Sequence, residues 1–238
     1  TLGPAPFFTL IIALYMQQPI KRSSPERIFR GIFRGNKWDS RESVSGRGSE
    51  LSQTRLLIDA LPALLRDLQV KQILDIPCGD FNWMSRVSLD QVEYLGADIV
   101  GELIERNRIR HAKRGLSFER LDLITDKLPR ADLVLCRDCL VHLSFVDAFK
   151  ALRNVCRSGS TWLLTTTYPS RSSNANILTG GWRTLNLEAP PFLLPKPVRV
   201  INEGCTQSRG AYHDKSLGLW SVESVANAVS CLPQFVQL

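Results

Sequence analysis

Ile73-Leu74-Asp75-Ile76-Pro77-Cys78-Gly79-Asp80 decides how this chain reads. An apolar run closes on an acid and opens into a tight Pro-Cys-Gly-Asp turn. Further on, a second apolar run, Val92-Glu93-Tyr94-Leu95-Gly96-Ala97, closes on Asp98. A buried strand, a glycine turn, a helix and a strand ending in a carboxylate make a nucleotide-binding half-fold. Gly79 lets the backbone approach a ligand closely. The carboxylate of Asp98 can accept hydrogen bonds from both hydroxyls of a ribose. The pattern points to a nucleoside-containing ligand.

Working outward, the periodicity predicts strands at 72–76, 93–98, 116–121, 132–136 and 160–167, and helices at 81–88, 101–113 and 144–156. Near-continuous apolar strands alternating with helices predict an α/β fold. It is a doubly wound, Rossmann-like, mostly parallel sheet with helices on both faces. Ser49 reads as the N-cap of a preceding helix, which Pro62 either kinks or divides before Leu68. Strands return at 198–203 and 215–220. The expected organisation is an N-terminal arm over 1–48 and one domain over 49–238, within which 169–197 is a loop-rich acceptor side.

The arm divides in two. Residues 7–16 are apolar but too short to span a bilayer, and no basic residue precedes them as in a signal peptide. A truncated anchor, a packing arm and a wrongly assigned start stay open; a non-membrane extension is the expectation. Residues 17–48 interleave arginines with Phe29, Phe33 and Trp38. Such a stretch either grips nucleic acid or packs its aromatics on the domain as a lid. The formal net charge of +7 favours anionic partners, whether an anionic small molecule, nucleic acid or a membrane surface, unless it is only a solvated basic face. The six cysteines lack the spacing of a disulfide framework and read as reduced thiols of a cytoplasmic protein.

The turn after the first strand narrows the ligand. A pyrophosphate site wants G-x-G-x-x-G, and here Gly79 stands alone with Asp80 beside it. Asp80 would repel a pyrophosphate and suits a ligand carrying an ammonium group and no phosphate. There is no G-K-[ST] after a strand either.

Leu74-Asp75-Ile76-Pro77-Cys78-Gly79-Asp80 resembles the first motif of the class I S-adenosylmethionine-dependent methyltransferases, an acid followed by G-x-G-x-G. The chain departs from it at Pro77, which replaces the first glycine, and at Phe81, which replaces the third. Asp98, followed by Ile99, matches the acid that holds the ribose hydroxyls in that family. Asp122, followed by Leu123, matches the acid that contacts the adenine amino group. Arg137-Asp138 matches the segment bordering the methyl donor. The resemblance covers residues 49–167 and implies S-adenosylmethionine as cofactor. An acidic strand edge suits a sulfonium and an ammonium, although any one of these acids could instead cap a helix. Arg47, before the first helix of the domain, is a candidate for the donor's carboxylate.

For chemistry, Arg137-Asp138-Cys139-Leu140-Val141-His142 carries the best candidates. His142 either deprotonates an acceptor with Asp138 nearby, or merely caps the next helix. Cys136-x-x-Cys139-x-x-His142 has metal-like spacing but lacks a fourth ligand, and Cys136 is expected to point away from Cys139, so no metal is expected. On the acceptor side, Trp182 could stack on a ring and Arg183 could pair a carboxylate or phosphate; Asn186 and His213 are further candidates. No segment resembling the N/D-P-P-Y/F signature of methyltransferases acting on amino groups follows the fourth strand. The expectation is therefore methyl transfer to oxygen of a small molecule, with an anionic acceptor among the possibilities. An RNA methyltransferase, a donor-binding protein without turnover and a nicotinamide oxidoreductase are the alternatives.

Overall fold

A computed structural model describes residues 23–230. The apolar stretch at 7–16 and Cys231 lie outside the described residues.

The strands are β1 (Gln72–Asp75), β2 (Glu93–Asp98), β3 (Leu116–Arg120), β4 (Leu133–Cys136), β5 (Trp162–Thr167), β6 (Arg199–Asn202) and β7 (Ser216–Ser221). The helices are α1 (Pro25–Arg34), α2 (Leu51–Asp67), α3 (Gly101–His111), α4 (Phe145–Arg157) and α5 (Val222–Ser230). One sheet takes the order β3-β2-β1-β4-β5-β7-β6. The first five strands run parallel, while β7 is antiparallel to both β5 and β6. The expected doubly wound α/β sheet is therefore present, with an antiparallel edge.

Side-chain alternation along the central strands sorts the core into two layers. Leu133 and Leu135 of β4 join Ile73 and the Leu57, Leu61 and Leu64 stripe of α2 on one face. Val134 and Cys136 join Leu74, Leu152 of α4 and Val225 of α5 on the other. Every residue of β4 is buried, as a central strand covered on both faces requires. The parallel strands all deliver their carboxyl ends to one edge, where the loops that follow them gather.

Four local expectations change. Residues 81–88 form only a 3₁₀ turn at Met84–Arg86, because Phe81 sits at φ +57° and the Asn82 side chain is held by Glu42 and by the Ser49 carbonyl. Pro62 lies inside one continuous α2, whose N-cap is Glu50 and not Ser49. Helix α5 follows β7 directly and was not foreseen. Cys136 is not turned away from Cys139, since a hydrogen bond to Cys136 together with burial pushes the Cys139 thiol up.

The 169–197 segment is irregular but tied down. Asn174 donates to the carbonyls of Asn186 and Pro190, both at 2.8 Å, and the Asn176 side chain accepts from Phe145 N–H at 2.8 Å. Phe192 is fully buried against Phe149, ring centres 4.7 Å apart. Among the described residues no helix is long and apolar enough to cross a membrane, and the five described cysteines are free thiols.

Candidate functional site

A cavity of about 480 Å³ opens at the carboxyl edge of the sheet. It runs from the β1 and β2 ends, through the β4 end, to the loops before and after β6. The arm closes it from above.

Its first half is built on carboxylates. Asp75 closes β1 and is 3% exposed; its Oδ2 accepts from Tyr94 Oη at 2.6 Å. Burial pushes its pKa from 3.8 up to about 7, against the lowering influence of that hydrogen bond and of Arg137. Asp98 closes β2, and burial pushes it up to about 6. It accepts from Val100 N–H at 2.9 Å and from Gly79 N–H at 3.3 Å, so the carboxyl at the second strand fixes the turn after the first. Asp122 lines the cavity and turns its oxygens to Ile124 N–H and Thr125 Oγ1. Ile99 and Leu123 supply apolar wall between these acids.

The Pro77–Asp80 turn has no free backbone donors. Cys78 N–H goes to Ala97 O, Gly79 N–H to Asp98, Asp80 N–H to Ser45 Oγ and Phe81 N–H to Cys78 O. A pyrophosphate cradle needs several unpaired N–H groups converging on one point, usually at a helix N-terminus. Here the donors are engaged, and only a 3₁₀ turn follows. The residues present do not fit a dinucleotide; they fit a phosphate-free nucleoside with a cationic centre.

Asp80 has a different place from the expected one. Its two oxygens accept from Ser43 Oγ (2.9 Å), Val44 N–H (2.8 Å) and Ser45 Oγ (3.1 Å). It clasps the arm to the turn in place of waiting for an ammonium. Gly79, at φ +56°, is required by the same clasp, because a Cβ there would collide with Ser45 Oγ. Arg47 lines the cavity as expected but already has an acidic partner. Its exposed guanidinium is ion-paired with Asp39 and donates from Nε to the Asp39 carbonyl at 2.9 Å.

The arm itself is a roof. Ser24 caps α1 by accepting from Arg27 N–H, and Pro25 opens the helix. Arg30 and Arg34 both reach Glu102 on α3, at 2.7 and 2.6 Å. Phe29, Phe33 and Trp38 face the cavity, and the Trp38 ring lies 5.0 Å from that of His142. Sequence reasoning named these aromatics but did not place them in the site.

The second half rests on a buried charge cluster. Arg137 Nη2 donates to Glu203 at 2.6 Å and to the Gly48 carbonyl at 2.7 Å. Lys215 Nζ reaches Asp138 at 2.6 Å and Glu203 at 3.2 Å, and Arg137 Nη1 lies 3.3 Å from Asp138. Two cations and two acids thus neutralise one another and tie together the ends of β4 and β6, the start of β7 and the arm. Burial alone would raise the Asp138 carboxyl, but Lys215 and Arg137 outweigh it and hold it down at about 2. A carboxyl so acidic is a poor base, so Asp138 is a positioning residue. Its backbone sits at φ +51°, held by a 2.8 Å bond from its N–H to Thr166 Oγ1. Glu203 was missed, since it stands at a strand end without a motif around it, and Lys215 was legible only as part of the polar run Tyr212-His213-Asp214-Lys215.

His142 lines the cavity. Its Nδ1 lies 2.7 Å from the Gly181 carbonyl, which can only accept, so the hydrogen is on Nδ1 and Nε2 keeps its lone pair. Burial lowers its pKa below the usual 6.5, against the raising influence of Gly181 and Asp138, and keeps the ring neutral.

Of the four acceptor-side candidates, only Trp182 lines the cavity, with its ring 4.9 Å from Tyr212. Arg183 is buried over the Phe145 ring and donates to the Leu143 carbonyl at 2.6 Å, pinning the loop. Burial lowers its pKa to about 10. Asn186 holds the Arg171 carbonyl at 2.7 Å, and His213 is exposed beside Gly210, away from the cavity. Among the described residues no group of three or more His, Cys, Asp or Glu could hold a metal ion.

No protein-family model and no curated protein matches the chain. Solved structures do. The magnesium protoporphyrin IX methyltransferase of Synechocystis PCC 6803 with bound SAM aligns at TM-score 0.59 and 14% identity over 85% of this chain and 99% of that one. Phosphoethanolamine N-methyltransferase 1 of Haemonchus contortus, in complex with phosphoethanolamine and S-adenosylhomocysteine, aligns at TM-score 0.60 and 14% identity over 91% and 55%. The N-methyltransferase NodS from Bradyrhizobium japonicum WM9 aligns at 0.52 and 15% over 71% and 96%. With the strand order and the acidic sheet edge, these likenesses give the conclusion that the chain has the fold of the class I S-adenosylmethionine-dependent methyltransferases.

Proposed function

We propose that this protein is an S-adenosylmethionine-dependent methyltransferase that acts on an oxygen of a small molecule. The observation that carries the reading is one continuous cavity with buried, phosphate-repelling carboxylates at one end and a neutral histidine at the other. In this reading Asp98 holds the ribose, Asp122 with Leu123 and Leu103 flanks the adenine, and Asp75 with the Pro77–Gly79 turn faces the amino acid portion. Bound S-adenosylmethionine would supply an electrophilic methyl on a sulfonium. The protein's own share is alignment, exclusion of water by the arm, and proton removal. His142 takes the acceptor's hydroxyl proton at Nε2, while Gly181 holds Nδ1–H. The free thiols support a reducing, cytoplasmic setting.

Calorimetric titration tests the cofactor: S-adenosylmethionine should bind and NAD should not. Isotopically labelled methyl donor incubated with small-molecule extracts should then yield a labelled ether or ester. Binding of NAD with no binding of S-adenosylmethionine would overturn the reading.

A further inference from the structure

We infer that the methyl acceptor is an uncharged aromatic molecule, held by ring stacking and not by a counter-ion. This rests on the proposed function and specifies its substrate class.

Five ring systems from five segments of the chain line the acceptor end. Trp38 comes from the arm, His142 from the turn after β4, Tyr168 from the end of β5, Trp182 from the long loop and Tyr212 from the approach to β7. They sort into two groups. Trp38 and His142 face each other with centres 5.0 Å apart, and Tyr212 joins Trp182 at 4.9 Å and Tyr168 at 6.3 Å. Trp182 is 44% exposed, although the loop around it is tied down. An exposed indole on a fixed loop, beside a second ring at the mouth of a cavity, suits a planar ligand.

The charges point the same way. Among the described residues three lysine or arginine side chains line the cavity, and each already has an acidic partner. Arg47 pairs with Asp39; Arg137 and Lys215 pair with Glu203 and Asp138. Arg183, a buried guanidinium packed on Phe145, is absent from the lining. An anionic acceptor therefore meets no unpaired cation. A cationic acceptor fares no better at this end, since Asp138 and Glu203 are bound by Lys215 and Arg137. Either charge would lose its water without gaining a partner, a penalty that ring stacking does not offset.

Four probes of similar size separate the possibilities: the methyl ester of protocatechuate, free protocatechuate, dopamine and cyclohexanediol. Calorimetry on the full chain, saturated with S-adenosylhomocysteine, reads their binding. The neutral ester should bind roughly tenfold or more tighter than each of the others. In the Trp182→Ala variant that preference should fall by roughly tenfold and return with Trp182→Phe, while the affinity for S-adenosylhomocysteine stays unchanged. Tighter binding of protocatechuate or dopamine would overturn the neutral class, and equal binding of cyclohexanediol would overturn the aromatic one. Loss of S-adenosylhomocysteine binding in the wild-type chain would instead defeat the proposed function, a result visible before any acceptor is added.

Discussion

At the scale of single residues, position on the sheet edge decided which residues named from the sequence line the cavity. Asp75, Asp98 and Asp138 each close or follow a strand, so their Cα atoms are placed by the backbone ladder and the cavity follows. Arg183, Asn186 and His213 sit on loops, where the chain alone does not say which way a side chain turns. Two residue-scale predictions follow from the geometry. His142→Ala should lower kcat by about two to four orders of magnitude on a hydroxyl acceptor and leave the donor's Kd unchanged. Because burial depresses the His142 pKa, the acidic limb of the wild-type kcat profile, read at saturating donor at every pH, should lie below pH 6.5 and vanish in the variant. A limb above 6.5, or one that persists in the variant, would assign the base elsewhere. Asp98→Ala should weaken donor binding by at least about tenfold, measured by calorimetry, since it removes both a ribose acceptor and the carboxyl that fixes Gly79.

At the scale of elements, the alternation of apolar strands and helices carried the sheet, because the central strands are covered on both faces and their buried positions run apolar in succession, as Ile73-Leu74 in β1, all of β4 and Leu163-Leu164 in β5. The 81–88 segment misled because Phe81, Met84 and Val87, which with Trp83 are its buried residues, recur at helical spacing while Phe81 sits at φ +57°. The arm takes the lid arrangement of the two that its sequence left open. Its arginines and aromatics have the composition of a nucleic-acid grip, yet Phe29, Phe33 and Trp38 are turned into the cavity and Arg30 and Arg34 onto Glu102. What fixes it is the clasp of Ser43, Val44 and Ser45 on Asp80, a contact between parts of the chain that no local pattern encodes. Asp80→Ala should free this clasp. The expected result is faster proteolysis between 36 and 49 and a faster donor off-rate, with the rest of the domain still protected. Gly79→Ala should reproduce it, since the added Cβ takes the place of Ser45 Oγ and φ +56° adds strain of about 1 kcal/mol. Unchanged proteolysis in both variants would show that the arm is held by α1 alone.

At the scale of the whole molecule, the buried acids set opposing dependences on pH. Asp75 and Asp98 have native pKa values raised from 3.8 to about 7 and about 6, so the native state binds protons more tightly than the unfolded chain there. Their contribution to stability is full below about pH 4 and is lost as pH rises through 6 to 7. Asp138 behaves oppositely: held at about 2 by Lys215 and Arg137, its contribution is present above about pH 4 and lost as pH falls toward 2. For Asp98 alone, the change from 3.8 to about 6 corresponds to a loss on the order of 3 kcal/mol at alkaline pH. A chain of this size changes Tm by roughly 2–4 °C for each kcal/mol. The ligand-free protein should therefore lose several degrees of Tm between pH 5 and pH 8, and Asp98→Asn should flatten that fall. A cationic donor engages the ionised carboxyls, so its affinity should rise over the same interval and its stabilising increment in Tm should be larger at pH 8 than at pH 5. Thermal scans at the two pH values, with and without S-adenosylmethionine, decide the matter. An increment that shrinks with rising pH would mean that these carboxyls stay protonated around the donor, and the electrostatic account of the site would fail with it.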